Sequence, residues 1–345
     1  MDDVVSRVDA VLRDAVARHR RERAGISDHL GVVFDEIDAM VSNGGKRLRP
    51  QFCHWGFVAA GGDPKDRTPS RLGAAVELVH AMALLHDDVI DDAGTRRGAV
   101  TAHRRLAALH EKESLAGESR RYGEGLTILI GDITAVMADE MAGDLSPIGR
   151  AVWNELRLEM NLGQFLDTIG SAHRDRSEDF ARTVSRYKSA KYTIERPLHL
   201  GAVAADAESG ASLMPMLTAY GIPLGEAFQL RDDVLGAFGA EHTLGKPVGG
   251  DFREGKPTPM LAVARARATD AQRVVLDSVG EPGLDAAAIA AIQEVVEATG
   301  ARDEMEKRIE NLTREAVAAL DGSRLAGDSH AALVRLAALT TDRQS

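Results

Sequence analysis

The sequence predicts an all-α fold, and three observations carry that expectation. Aromatic residues make up only 4% of the 345 residues, while alanine, the strongest helix former, recurs throughout. Apolar residues return at helical spacing over long segments, as in Val5, Val8, Val11, Leu12 and Val16. No stretch of useful length alternates apolar and polar residues as a half-buried strand would.

Bulk properties narrow the function classes. The length accommodates one large domain over 1–345, with no linker-like composition to divide it. A net charge of −11 argues against nucleic acid as a partner. Cys53 is the only cysteine, so no internal disulfide can form, which is compatible with a reducing, cytoplasmic setting. The start, Met1-Asp2-Asp3-Val4, is acidic and does not read as a secretory leader. No uncharged run approaches the roughly 20 apolar residues of an integral membrane segment.

In chain order, residues 4–23 read as an amphipathic helix whose basic end, Arg18-His19-Arg20-Arg21-Glu22-Arg23, is a solvated terminus. A second helix is expected over 30–41. Further helices follow over 52–60 and 70–89, with Gly94 as the stop and Thr95-Arg96-Arg97-Gly98 as a loop. A short helix covers 103–113, and the polar stretch 114–125 reads as a surface loop. The next helix, 126–142, carries Gly131, Ala135, Ala138 and Ala142, small residues suited to close packing. Two more cover 147–170 and 180–200, the second kinked or restarted at Pro197. A helix over 213–235 precedes an irregular, Gly- and Pro-rich segment at 238–259, long enough to be a lid. Alanine-rich helices resume at Met260.

The densest chemistry is Leu85-His86-Asp87-Asp88-Val89-Ile90-Asp91-Asp92. At about 100° per residue, Asp87 shares a helix face with Asp91, and Asp88 with Asp92. Like charges at this spacing destabilise a helix, and an apolar segment just before them makes their burial costly. A divalent cation resolves the conflict, and Mg²⁺ favours such hard oxygen ligands together with phosphate oxygens. The alternative is a solvated acidic helix end. An echo occurs at Phe228-Gln229-Leu230-Arg231-Asp232-Asp233, where Gln229, Asp232, Asp233 and Gly236 follow one stripe.

Positive charge comes from several separate regions. Asn43-Gly44-Gly45-Lys46-Arg47-Leu48-Arg49-Pro50 joins a glycine turn to three cations, a cradle for phosphate or simply a basic loop. It lacks the spacing of a P-loop. Arg96 and Arg97 either balance the neighbouring acids or clamp a diphosphate. With Lys191, Lys246 and Lys256, the set suits a ligand with a diphosphate head, and the apolar helices suit a greasy tail. Such a ligand is an isoprenoid diphosphate.

Taken together, these motifs resemble the polyprenyl synthetase family, the trans-isoprenyl diphosphate synthases. The resemblance rests on Gly44-Gly45-Lys46-Arg47-Leu48-Arg49-Pro50, Asp87-Asp88-Val89-Ile90-Asp91, Thr95-Arg96-Arg97-Gly98, Gly131-Asp132, Phe228-Gln229 before Asp232-Asp233, Gly245-Lys246-Pro247 and Gly255-Lys256. It implies an isoprenoid synthase-type helical bundle around a central cavity, usually a homodimer. By that resemblance, Asp87, Asp88 and Asp91 form a first Mg²⁺-binding motif, and Asp232 and Asp233 a second. Lys46, Arg49, His80 and Arg97 correspond to positions holding isopentenyl diphosphate. Arg96, Lys191, Gln229, Lys246 and Lys256 correspond to contacts with the allylic prenyl diphosphate or its metals. Asp87, Asp88, Asp91, Lys191, Asp232 and Asp233 are the expected catalytic set.

Two positions depart from the family pattern. The second motif usually ends in a further aspartate, and here that position is Gly236, for which Glu241 or Asp251 are possible replacements. Tyr192 stands after Lys191 where threonine is common, and Thr193, one residue on, would point about 100° away on an α-helix. For product length, Ala83 lies one turn before Asp87, with Val79 and Val76 further down and Met82 beside them. A small residue there leaves room for a C20 product, geranylgeranyl diphosphate; farnesyl diphosphate and longer chains are alternatives. A terpene cyclase would not need the Lys46 and Arg49 site, and a non-catalytic partner subunit would be expected to lose the first acidic motif.

Overall fold

Helices account for nearly all regular elements of the computed structural model, which describes residues 2–42, 45–96, 98–173, 177–239, 249–323 and 325–342. In order these are α1 (Asp2–Arg23), a 3₁₀ turn (Asp28–Leu30), α2 (Gly31–Ser42), α3 (Leu48–Ala59) and α4 (Thr68–Ile90). A two-stranded hairpin, β1 (Thr95–Arg96) and β2 (Ala99–Val100), precedes α5 (Ala102–Lys112), α6 (Ser119–Ala142), α7 (Pro147–His173) and α8 (Glu178–Ser185). A π-helical segment (Arg186–Glu195) leads into α9 (Arg196–Ala205) and α10 (Ala207–Phe238). The remainder is α11 (Gly250–Glu254), α12 (Pro259–Arg267), α13 (Asp270–Asp277), α14 (Ala286–Ala298), α15 (Ala301–Ala318) and α16 (Ser329–Thr341). No helix among the described residues is long and apolar enough to cross a membrane.

The chain divides into two compact units: Met1–Val152 with Pro197–Ser212, and Trp153–Arg196 with Leu213–Ser345. In the first, α4 packs against α1, α2, α3, α5 and α6. Its apolar residues from Leu72 to Met82 are buried on every side, including Val76, Leu78 and Val79, as is Leu85, while Ala83 and Leu84 are half-buried. A helix enclosed in this way tolerates an all-round apolar sequence, and the acids can only follow where the apolar run stops.

In the second unit, the C-terminal half of α10 is embedded. Leu230, Val234 and Ala237 join Phe252, Met260, Val263, Ile289, Ile292 and Met305 in one core. Arg231 makes a bidentate pair with Glu306 at 2.7 Å and donates to the Thr341 carbonyl at 2.9 Å, which fixes the rotation of α10. Its acidic stripe is thereby turned away from that core.

Several boundaries differ from the sequence-based expectation. Much of 114–125 is helical, because α6 begins at Ser119. Helix α10 starts at Ala207 and continues through Pro215 and Pro223. Its buried packing outweighs the roughly 3 kcal/mol that an interior proline costs. The expected helix over 180–200 is three pieces, and the middle one is π-helical. Glycines permit this wide segment: a Cβ on Gly163 would lie 2.2 Å from the Lys188 nitrogen, and one on Gly225 would lie 2.5 Å from the Ala190 Cα. The 100° step for Thr193 assumes α geometry, and the wider π turn makes that step smaller; Thr193 is wholly buried. Of the expected irregular segment 238–259, residues 240–248 lie outside the described residues, and Gly250–Glu254 is a short helix.

Candidate functional site

The first acidic cluster sits at the end of α4. Asp88 is wholly buried, and the Asp87 side chain is 14% exposed. The hairpin, with Thr95 opposite Val100 and Arg96 opposite Ala99, turns the chain back so that Arg96 reaches both acids. Its Nη2 lies 2.9 Å from Asp87 Oδ2, and its Nε lies 2.5 Å from Asp88 Oδ1. Burial disfavours the Arg96 charge, but Asp88 and Asp87 more than offset this, and its pKa is raised. Of the two readings of this arginine, charge balance is the geometry present. Arg97 lies outside the described residues.

Helix α4 ends at Ile90, with Asp91 as its C-cap and the Asp91 N–H donating to the Asp87 carbonyl at 2.8 Å. Asp92 has φ +50°, and its carboxylate turns to Arg104 at 2.7 Å. The expected pairing of Asp88 and Asp92 on one face is thus corrected. The helix ends two residues before Asp92, and Arg104 holds Asp92 elsewhere.

Arg47 is also diverted. Its guanidinium donates to Asp9 at 2.9 Å, to Glu77 at 2.7 Å and to the Val41 carbonyl. It has φ +46° and is only 8% exposed. Among the three cations of the basic loop, Arg47 therefore serves as an internal anchor. It ties the loop to α1, α2 and α4, while Lys46 stays exposed and Arg49 half-buried. Asn43 and Gly44 lie outside the described residues. His80 is half-buried on α4, about two turns before Asp87.

In the second unit, Lys191 lies on the π segment with its Nζ 2.7 Å from Glu159 Oε1, 3.5 Å from Glu195 Oε2 and over the Tyr187 ring. Arg196 grips the same Glu159 with two hydrogen bonds of 2.7 and 2.8 Å. Burial alone would raise the Glu159 pKa, but the bonds from Arg196 and Lys191 overcome it and hold it low. Sequence reasoning gave Glu159 and Arg196 no role. They are 37 residues apart, so no local spacing links them.

On α10, Gln229 donates to Asp233 Oδ1 at 2.8 Å. Burial, followed by the nearby Asp251 carboxylate, pushes the Asp233 carboxyl up to about 8; Asp232 adds to the rise, while Gln229 and Lys256 oppose it. Lys256 pairs with Glu254 at 2.5 Å. A Cβ on Gly236 would lie 2.5 Å from Asp251 Oδ2. Lys246 and Glu241 lie outside the described residues.

Among the described residues, no three His, Cys, Asp or Glu side chains are grouped as a ready cage for a metal ion. The donor chemistry nonetheless fits a hard divalent cation. The donors are carboxylate oxygens on two helices, and one of them, Asp233, is buried beside like charges that no local cation balances well enough to keep it ionised at neutral pH.

The profile of one family, polyprenyl synthetase, matches residues 32–298. The chain belongs to that family. It is therefore a prenyl diphosphate synthase, and the all-α expectation holds. A solved geranylgeranyl pyrophosphate synthase from Corynebacterium glutamicum, complexed with isoprenyl diphosphate and magnesium, matches with a TM-score of 0.93 and 36% identity, covering 100% of this chain and 99% of that one. The geranylgeranyl diphosphate synthase of Mycobacterium tuberculosis is 32% identical over 264 residues, 74% of this chain and 69% of the relative. An all-trans-nonaprenyl-diphosphate synthase of Rhodobacter capsulatus is 28% identical over 344 residues, 96% of each chain. Relatives thus span different product lengths.

Proposed function

We propose that this synthase condenses isopentenyl diphosphate with an allylic prenyl diphosphate by ionisation, condensation and elimination, using Mg²⁺, and that it stops at the C20 geranylgeranyl diphosphate. The observation that carries this reading is the buried Asp88 beside the half-buried Asp87, held at the end of an apolar helix in a polyprenyl synthetase. Asp87, Asp88 and Asp91 would form one Mg²⁺-binding set, and Asp232 and Asp233 another. The bound cation supplies Lewis-acid stabilisation of the leaving diphosphate.

The chain's own groups divide the remaining work. Arg96, Lys191, Gln229, Lys246 and Lys256 bind the allylic diphosphate and favour the charge that develops as its C–O bond breaks. Lys191 is pre-oriented for this by Glu159. Lys46, Arg49, His80 and Arg97 bind isopentenyl diphosphate so that its double bond faces the allylic cation. The new C–C bond forms, and a proton leaves the adjacent carbon. No strong protein base lies in these motifs, so the released diphosphate accepts that proton. The apolar helices exclude the water that would otherwise capture the cation.

Product length follows from α4. Ala83, one turn before Asp87, is small, and the wholly buried Val79 and Val76 lie below it. Each turn rises about 5.4 Å, comparable to one isoprene unit. We assign 1–345 as one functional domain built of both units, acting in the cytoplasm as a homodimer. Exposed apolar stripes support self-association: Leu129, Ile133 and Val136 on α6, and Leu158, Leu162, Phe165 and Ile169 on α7.

Incubation of the purified protein with Mg²⁺, isopentenyl diphosphate and each allylic diphosphate tests this reading. The expected product is a C20 diphosphate. Farnesyl or longer diphosphates would overturn the length assignment. A cyclic hydrocarbon, or no product, would overturn the reaction.

A further inference from the structure

We infer that Asp9 and Glu77 are positioning residues for isopentenyl diphosphate, acting through the buried guanidinium of Arg47. This rests on the synthase reading above, which assigns Lys46, Arg49 and His80 to that substrate. Arg47 stands between the two loop cations in sequence but is turned inward. Its Nε donates to Asp9 on α1 at 2.9 Å, its Nη1 to Glu77 on α4 at 2.7 Å, and its Nη2 to the Val41 carbonyl on α2. Burial disfavours the Arg47 charge, but Glu77 and then Asp9 more than offset this, and its pKa is raised. Both partners in the Arg47–Glu77 pair are buried, so three helices rather than solvent set its geometry.

The backbone at Arg47 depends on these bonds. Arg47 caps α3 with φ +46° and ψ +45°, a left-handed conformation that is disfavoured for any residue with a Cβ. Glycine would adopt this turn freely, so an arginine here is explained by what its side chain holds. The turn sets where Lys46 leaves the loop and where Arg49 enters the first turn of α3. Lys46 is fixed from a second direction, because the Gln51 side-chain amide donates to its carbonyl at 2.6 Å. Pro50 is seated closely on α4, where a Cβ on Gly73 would lie 2.9 Å from the Pro50 Cβ. Glu77 lies one turn before His80 on α4. One acid thus ties the helix that carries His80 to the loop that carries Lys46 and Arg49, and Asp9 adds the support of α1.

Steady-state kinetics test the proposal, with isopentenyl diphosphate and the allylic diphosphate (geranyl or farnesyl) varied in turn and thermal unfolding measured for each variant. Glu77→Gln should raise KM for isopentenyl diphosphate on the order of tenfold, with kcat and KM for the allylic diphosphate within about twofold of wild type. Asp9→Asn should act in the same direction but less, because the Asp9 side chain is 30% exposed against 6% for Glu77. Arg47→Met/Glu77→Leu replaces the buried pair with apolar side chains, so it should melt as high as the wild type and still show the raised KM. Glu77→Gln with a wild-type KM for isopentenyl diphosphate would overturn the proposal alone. So would an equal rise in both KM values, or a loss that follows the melting temperature, since either would make the triad a support of the fold only. A wild-type protein that elongated none of dimethylallyl, geranyl and farnesyl diphosphate would instead overturn the synthase reading, and this proposal with it.

Discussion

The ends of α4 and α10 both present adjacent aspartates at the edge of an apolar core, yet they resolve the same electrostatic problem differently. At α4, Arg96 reaches back from the hairpin and pairs with both Asp87 and Asp88. At α10, Asp233 is pushed up to about 8 by burial, Asp251 and Asp232, so a proton does there what an arginine does at α4. One cluster has a built-in counter-ion in Arg96, and the other has none strong enough to offset burial and its acidic neighbours. Metal binding at the second cluster should therefore compete with protons.

The largest effect is expected from making the first cluster resemble the second. Arg96→Leu strips the counter-ion from the buried Asp88 and from its half-buried neighbour Asp87, and breaking a buried pair costs about 3–5 kcal/mol. Denaturant unfolding should show this loss, partly recovered by Mg²⁺. Next in size, Asp87→Ala should lower kcat on the order of 10²–10³-fold, the usual cost of removing one group that stabilises transition-state charge. Steady-state kinetics would reveal it, and normal turnover would refute the role of Asp87.

The third effect concerns pH. The folded Asp233 carboxyl titrates at about 8, above its ordinary 3.8. The folded state therefore holds a proton that the unfolded state releases, and this group's stabilisation of the metal-free protein falls as pH rises from about 4 to about 8. Asp233→Asn should flatten that slope in thermal unfolding. Mg²⁺ must displace the proton, so its apparent affinity at this cluster should rise by up to about tenfold per pH unit below about 8. The smallest effect on rate is expected from Ala83→Phe. It should shorten the main product by one isoprene unit, readable by chromatography, with turnover less affected than in Asp87→Ala.

The contrast between the two clusters was only partly legible in the sequence. Helical periodicity revealed the bundle, because α4 and α10 bury long apolar runs whose spacing is intact in the chain. Adjacent acids after those runs marked both clusters. Backbone irregularities were not legible: the positive φ at Asp92 breaks the shared face, and the π segment around Lys191 breaks the 3.6-residue repeat. Distant partners were hidden as well. Nothing near Lys191 in sequence points to Glu159, and nothing near Asp9 or Glu77 shows that Arg47 turns inward rather than towards phosphate. Gly236 was visible as a missing ligand, but only folding shows which acid stands beside it.

Calorimetric titration of a non-hydrolysable allylic thiolodiphosphate into the protein, with Mg²⁺ and again after thorough chelation, tests the central claim most directly. The account predicts tight binding that requires Mg²⁺ and is weakened by Asp87→Ala and by Asp232→Ala. Equal affinity in the chelated protein, or full affinity in both variants, would contradict it.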